Sequence, residues 1–233
     1  MSLSGALPAL QDRSRDSRDR ILEAAEEAFS ENGFAGAKLT DIAERAGLAV
    51  GTIYNRFTDK DGLFTAVLDN YVRTTRYLIE TGVDWEGQRK SPAGDILQNF
   101  VFGSFENLLR NKGLMRAIIE RSLSDPSAYA PLAGLADNVE DRFHSLLRLH
   151  PEFKRSSTLR SEISLAFRLI NGTFMDLLVR GQLTNHSICQ TSVHYLTELL
   201  VARFGCKPPS RKRTFDPTHA MRIRQRPPPG DNR

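Results

Sequence analysis

Residues 39–60, LTDIAERAGLAVGTIYNRFTDK, decide how the rest of the chain is read. Thr40 is a residue type that caps helix N-termini, and Ile42, Ala43 and Ala46 follow on one face at helical spacing. Gly47 is placed to end that helix, because glycine takes the left-handed C-terminal conformation without steric cost. A second short helix is expected over about 50–57, with Ile53 and Phe57 four apart on its buried side. Two short helices joined by a tight turn containing glycine form a helix-turn-helix, whose second helix enters the major groove of DNA.

With Ile53 and Phe57 turned inward, Val50, Gly51, Thr52, Tyr54, Asn55 and Arg56 are left on the outer face. Asn and Arg make paired hydrogen bonds to base edges, and a Thr methyl can touch thymine. Gly51 lets backbone approach the duplex closely. Thr40, Tyr54 and Lys60 suit phosphate, which sets register without carrying sequence information. The competing reading of the same spacing is a solvated helix pair inside an all-helical enzyme.

Outward from this stretch, Ile21, Ala25, Ala28 and Phe29 predict an amphipathic helix over about 17–32, stopped by Asn32-Gly33. Its acids Asp19, Glu23, Glu26, Glu27 and Glu31 are expected to face solvent. Residues 1–16 read as a disordered arm, in which Arg13 and Arg15, with the nearby Arg18, either touch phosphate or are simply solvated. A further helix begins near Asp59 and carries Leu63, Phe64, Val67, Leu68 and Tyr71.

These residues resemble the N-terminal DNA-binding domain of TetR/AcrR-family transcriptional regulators. The resemblance rests on Phe29, Gly33-Phe34, Thr40-Asp41-Ile42-Ala43, Ala46-Gly47, Gly51-Thr52-Ile53-Tyr54, Phe57 and Lys60-Asp61-Gly62-Leu63, and covers about residues 17–72. Arg56 stands where many members have His or Tyr, which leaves open whether it reads bases or clamps phosphate. The resemblance implies an all-α fold: a three-helix helix-turn-helix domain at 17–72, then a helical ligand-binding and dimerisation domain at 73–206. It also implies that the helix starting near Asp59 carries a ligand signal to the reading head.

Composition limits the alternatives. The net charge of +4 is not spread evenly: residues 1–60 hold 8 Lys and Arg against 10 Asp and Glu, while residues 207–233 hold 8 against 2. Basicity therefore belongs to the tail, and the motif alone carries the DNA reading. No apolar run reaches membrane-span length and residues 1–10 do not read as a signal peptide, so a cytoplasmic protein is expected. Cys189 and Cys206, if on one helix, are too far apart to pair and read as inert thiols in a reducing compartment. Nucleotide-binding and hydrolase signatures are missing and the five histidines lack metal-ligand spacing, so no enzyme, cofactor or metal is expected.

Residues 81–94, with Gly82, Gly87, Pro92, Gly94 and Trp85, read as a flexible loop, and the chain onward to 205 reads as helices without strand-like alternation. Phe100, Phe105, Phe143, Phe167 and Phe174 are candidates for lining an effector cavity. Arg116, Glu120, His144, Arg168 and Asn171 are candidates for its polar contacts, with an apolar or aromatic effector expected. The helix at about 159–180 is apolar on more than one side, and by the resemblance it and the amphipathic helix at about 186–204 form a homodimer interface. Residues 207–233, rich in Pro and basic residues, read as a disordered tail that either binds DNA weakly or is simply solvated. The function so implied is a repressor released from a palindromic operator by a small molecule. An effector-independent division or nucleoid factor on the same scaffold, and a helical enzyme or lipid-binding protein, are the alternatives.

Overall fold

In a computed structural model the described residues are 6–153, 156–211 and 213–216, with side chains from residue 14 onward. Among them all regular structure is helical, as expected. Packing divides the chain into two units, Met1–Arg73 with Gly113–Pro131, and Thr74–Lys112 with Leu132–Arg233. The expected 73–206 domain is therefore interrupted, since residues 113–131 pack with the first unit.

The first unit begins with α1, Ala6–Gly36. Residues 6–16 are helical rather than a disordered arm: Pro8 falls in the first turn, where its missing N–H removes no hydrogen bond. Residues 1–5 of the expected arm, and the side chain of Arg13, lie outside the described residues. Gly33 breaks α1 with φ 71° and ψ 178°, backbone open only to glycine, so the expected stop appears as a kink. After it come α2, Leu39–Ala46, α3, Val50–Phe57, and α4, Lys60–Gly82, which belongs to this unit as far as Arg73. The core holds Ile21, Ala25, Phe29, Ile42, Ile53 and Leu63, each fully buried. Phe34 and Phe64 complete a triangle of rings with Phe29, at centroid distances of 5.0–6.0 Å. Glu26 is half-buried rather than solvated, and burial, then Glu23 and Glu27, raise its carboxyl above the ordinary range.

The other part of this unit is α7, Lys112–Ser124. Leu114, Met115, Ala117 and Ile118 are buried. Its polar residues fasten to the kink: the Glu120 carboxylate accepts the N–H groups of Phe34 and Ala35 at 3.2 and 3.1 Å. The turn at Gly33 releases those donors from the helix ladder, and Glu120 supplies the acceptors. Arg116 donates to the carbonyls of Ser30 and Glu31 at 3.3 and 3.0 Å, and Arg121 pairs with Asp61 at 2.8 Å.

The second unit contains α5, Trp85–Lys90, α6, Ala93–Arg110, α8, Ala130–Arg148, α9, Leu159–Val179, and α10, His186–Phe204. The expected loop at 81–94 thus holds a short helix. Asp84 caps it by accepting from Gly87 N at 2.9 Å, and Trp85 Nε1 donates to Ile79 O at 2.9 Å. One apolar cluster joins Ile96, Leu97, Phe143, Leu147, Leu159 and Ile163. α9 and α10 are tied by a two-pronged ion pair, Arg203 to Glu162, with both contacts at 2.6 Å, which lowers the Glu162 pKa.

Residues 207–211 and 213–216 are also not the disordered tail expected. They form a strap across α6 and α10. Ser210 donates from its amide and hydroxyl to Asp95 at 2.7 and 2.6 Å. Phe215 is 2 % exposed, because its ring enters an aromatic site that sequence spacing gives no means of locating. Residues 217–233, on which the remainder of the tail reading falls, lie outside the described residues. Both thiols are free; burial raises Cys189 and pushes Cys206 up to about 11, in keeping with inert thiols. No helix among the described residues is long and apolar enough to cross a membrane.

Candidate nucleic-acid interface

The helix-turn-helix forms where the spacing placed it. Gly47 ends α2 in the left-handed region, φ 64° and ψ 38°, with its N–H on the carbonyls of Ala43 and Glu44. A Cβ there would stand 2.6 Å from Arg20 Nη2, and the Arg20 guanidinium donates to Ala46 O at the same helix end. Thr40 is not the N-cap. Lys38 holds that place without a side-chain bond, because α2 starts two residues earlier than the Thr signal suggests. The Thr40 hydroxyl instead donates to Asp41 Oδ1 at 3.0 Å.

Ala49 leads into α3 with extended backbone and no side-chain cap. Among the described residues neither α2 nor α3 thus has a side-chain N-cap, the condition under which helix N-termini receive phosphate. Ile53 is fully buried and Phe57 nearly so. Around them Val50, Gly51, Tyr54, Asn55 and Arg56 are exposed and Thr52 half-exposed, with Tyr54 at 53 %. Among the described residues no atom lies within 4 Å of a Cβ built on Gly51, so none of them requires glycine there. Arg56 Nη2 donates to Ser14 Oγ at 3.1 Å, bringing α1 beside the outer helix.

The exit from α3 is tightly determined. Thr58 has φ 65° and ψ −57°, and Asp59 N donates to Phe57 O at 2.6 Å, which closes a strained three-residue turn. Asp59 Oδ1 then accepts from Gly62 N at 2.7 Å and caps α4. A Cβ on Gly62 would stand 2.2 Å from Phe57 O, so glycine is what allows the two helices to meet this closely. Lys60, expected at phosphate, donates to the carbonyls of Ala35 and Ala37 at 3.1 Å each and lies 4.8 Å from the Phe34 ring centre. Its ammonium is occupied within the domain. Sequence reasoning missed Arg20 and Arg121 and gave Glu120 only an effector role; the two α7 residues lie far from their partners in sequence, beyond the reach of any local pattern.

The candidate effector residues are divided between the two units. Arg116 and Glu120 belong to the first unit, at the end of α1, because tertiary packing rather than helix periodicity assigns α7. Phe100 stacks on Phe143 at 4.1 Å and lies 4.7 Å from Phe167, while Phe105 meets Phe174 at 5.9 Å. Arg168 is exposed and Asn171 half-exposed. His144 has its pKa lowered by burial and by Arg160 and Arg148.

A buried three-helix core that presents an uncapped, outward-facing second helix defines the helix-turn-helix class of DNA-binding domain. Residues 21–67 match the family model described as bacterial regulatory proteins, tetR family, so this N-terminal segment is similar to the DNA-binding domain of that family. Among curated relatives, the repressor ComR of Escherichia coli is 42 % identical over 55 residues, 24 % of this chain and 26 % of that protein. The regulator TtgR of Pseudomonas putida is 41 % identical over 68 residues, 29 % and 32 % of the two chains. The matched segment thus spans about a quarter to a third of these relatives' length. The likeness of fold extends further. A Mesorhizobium loti structure assigned to the TetR family aligns with TM-score 0.67 and 19 % identity, covering 82 % of this chain and 98 % of that one. Salmonella enterica GusR aligns with TM-score 0.56 and 18 % identity, covering 88 % and 99 %.

Proposed function

We propose that the chain is a sequence-specific DNA-binding transcriptional regulator, a homodimeric repressor released from a palindromic operator by a small molecule. The observation that carries this reading is the outer face of α3, where Tyr54 and Asn55 are exposed while Ile53 is fully buried. Thr52, Asn55 and Arg56 are the candidate base readers, and Thr40, Val50, Gly51 and Tyr54 the candidate backbone contacts. Lys60 contributes by holding the end of α1 in place. The name of ComR as a repressor supports the sign of regulation.

Dimerisation is supported by the apolar residues that α9 and α10 leave uncovered: Leu165 at 47 %, Val179 at 79 %, Tyr195 at 66 % and Leu199 at 39 % exposed. An isologous pairing of these faces repeats the reading head by a two-fold axis, which matches a palindrome with half-sites about 34 Å or a multiple apart. Effector control, rather than constitutive binding, is favoured by Thr74 Oγ1, Thr75 Oγ1, Arg110 Nε and Asn138 Oδ1. All four belong to the second unit and are buried without a hydrogen-bond partner among the described residues. A ligand with hydrogen-bonding groups would satisfy such atoms.

The test is selection of bound fragments from random DNA by the purified chain at stated salt. An inverted repeat is the expected result. Asn55→Ala, with its fold intact, should then weaken binding to the selected site by about 10- to 100-fold while sparing binding to unrelated DNA. Fragments without a common repeat would remove the proposal.

A further inference from the structure

Asp95, Asn99, Phe102 and Glu106 recur every three or four residues and form one stripe along α6. By composition this is an outer face, with two carboxylates and an amide around one ring. Yet Phe102 is fully buried, because the strap lies over it. Arg213 places its guanidinium 4.9 Å from the Phe102 ring centre, donates to Asn99 Oδ1 at 3.0 Å and stands 3.7 Å from Glu106 Oε1. Phe215 sets its ring edge-to-face against Phe102 and Phe105, with centroids 5.6 and 5.8 Å away. From α10, His194 Nε2 lies 2.8 Å from the Arg213 carbonyl oxygen.

The stripe holds a cation over an aromatic face, and beside it a slot holds a second ring. Both guests come from a segment without helix or strand. Its polar contacts are exposed and individually weak, so the Phe215 ring is the main anchor. We infer that this seat on α6 and α10 is a binding site for an organic cation bearing an aromatic ring, occupied by Arg213 and Phe215 of the same chain when that ligand is absent. The ligand displaces the strap, its charge meets Glu106 and the Phe102 face, and its ring takes the place of Phe215. Because the tethered occupant competes at high effective concentration, the opened seat binds more tightly than the closed one. The site uses no residue of the DNA-reading face and does not depend on the proposed function.

The probe is 4-phenylbutylamine, with neutral 4-phenylbutanol as control, titrated calorimetrically into the full chain and two variants. Phe215→Ala removes the anchor. Gly94→Ala lifts the base of the strap and leaves every seat residue in place, since a Cβ there would stand 2.2 Å from Lys207 O. Each variant should bind the amine about tenfold more tightly than the unmodified chain, and the amine about tenfold more tightly than the alcohol. Glu106→Gln added to Phe215→Ala should remove most of the amine's advantage. In the unmodified chain, saturating amine should speed hydrogen exchange across residues 207–216. Should Phe215→Ala fail to fold, Gly94→Ala and the exchange measurement decide. Equal affinity of variant and unmodified chain, equal affinity for amine and alcohol, or unchanged exchange at saturation would overturn the assignment.

Discussion

Thr58 is the sole non-glycine residue with positive φ among those described, and its branched side chain makes that conformation costly. Thr58→Gly should therefore raise stability by about 1 kcal/mol, measured as a shift in urea midpoint, although glycine usually lowers it. Glu26 supplies a second test at this scale. Burial, reinforced by Glu23 and Glu27, raises its folded pKa above the ordinary 4.5. The folded state then holds its proton to higher pH than the unfolded chain. Stability is fully present below the unfolded value and is lost as pH rises through the folded one. Glu26→Gln should be no more stable than the parent well below pH 4.5 and more stable at neutrality, as thermal melts across that range would register. Residue chemistry was only partly legible in advance. Gly47 could be foreseen as a left-handed helix end, because one residue's conformational freedom determines it. The half-burial of Glu26 could not, because it depends on what packs above.

At the scale of elements, the bounds of α3 follow from its own residues: a glycine turn before it, Ile53 and Phe57 within it, and a capping Asp59 after it. The position of α7 does not. Its apolar spacing predicts a helix, but nothing local says that Glu120 will meet amides 85 and 86 residues away. Those bonds act as an N-cap supplied from another segment. Glu120→Ala should cost about 1 kcal/mol in chemical denaturation, the usual effect of losing a helix cap. Hydrogen exchange should rise locally at Phe34 and Ala35. The strap is hidden from the sequence for a related reason. Its proline and arginine content marks a segment that cannot form a core of its own, yet one phenylalanine suffices to anchor it where α6 and α10 already provide a seat.

For the whole molecule, the proposed dimer makes a prediction that neither unit makes alone. Tyr195→Asp, on an exposed apolar position of α10, should convert a dimer into a monomer in sedimentation while leaving the helical signal intact. Operator affinity should fall by orders of magnitude, since a single head reads only half a palindrome. The sequence by itself determined the all-α class, the helix-turn-helix and which of its residues face outward, because helix periodicity, glycine conformations and capping act over a few residues. Only the tertiary structure decided that α7 joins the reading unit, that Lys60 is spent on carbonyls at the end of α1, that the candidate effector residues are divided between two units, and that Phe215 is buried. Each of these depends on contacts between segments far apart in the chain, where burial and pairing are set by the neighbours that packing supplies and not by spacing.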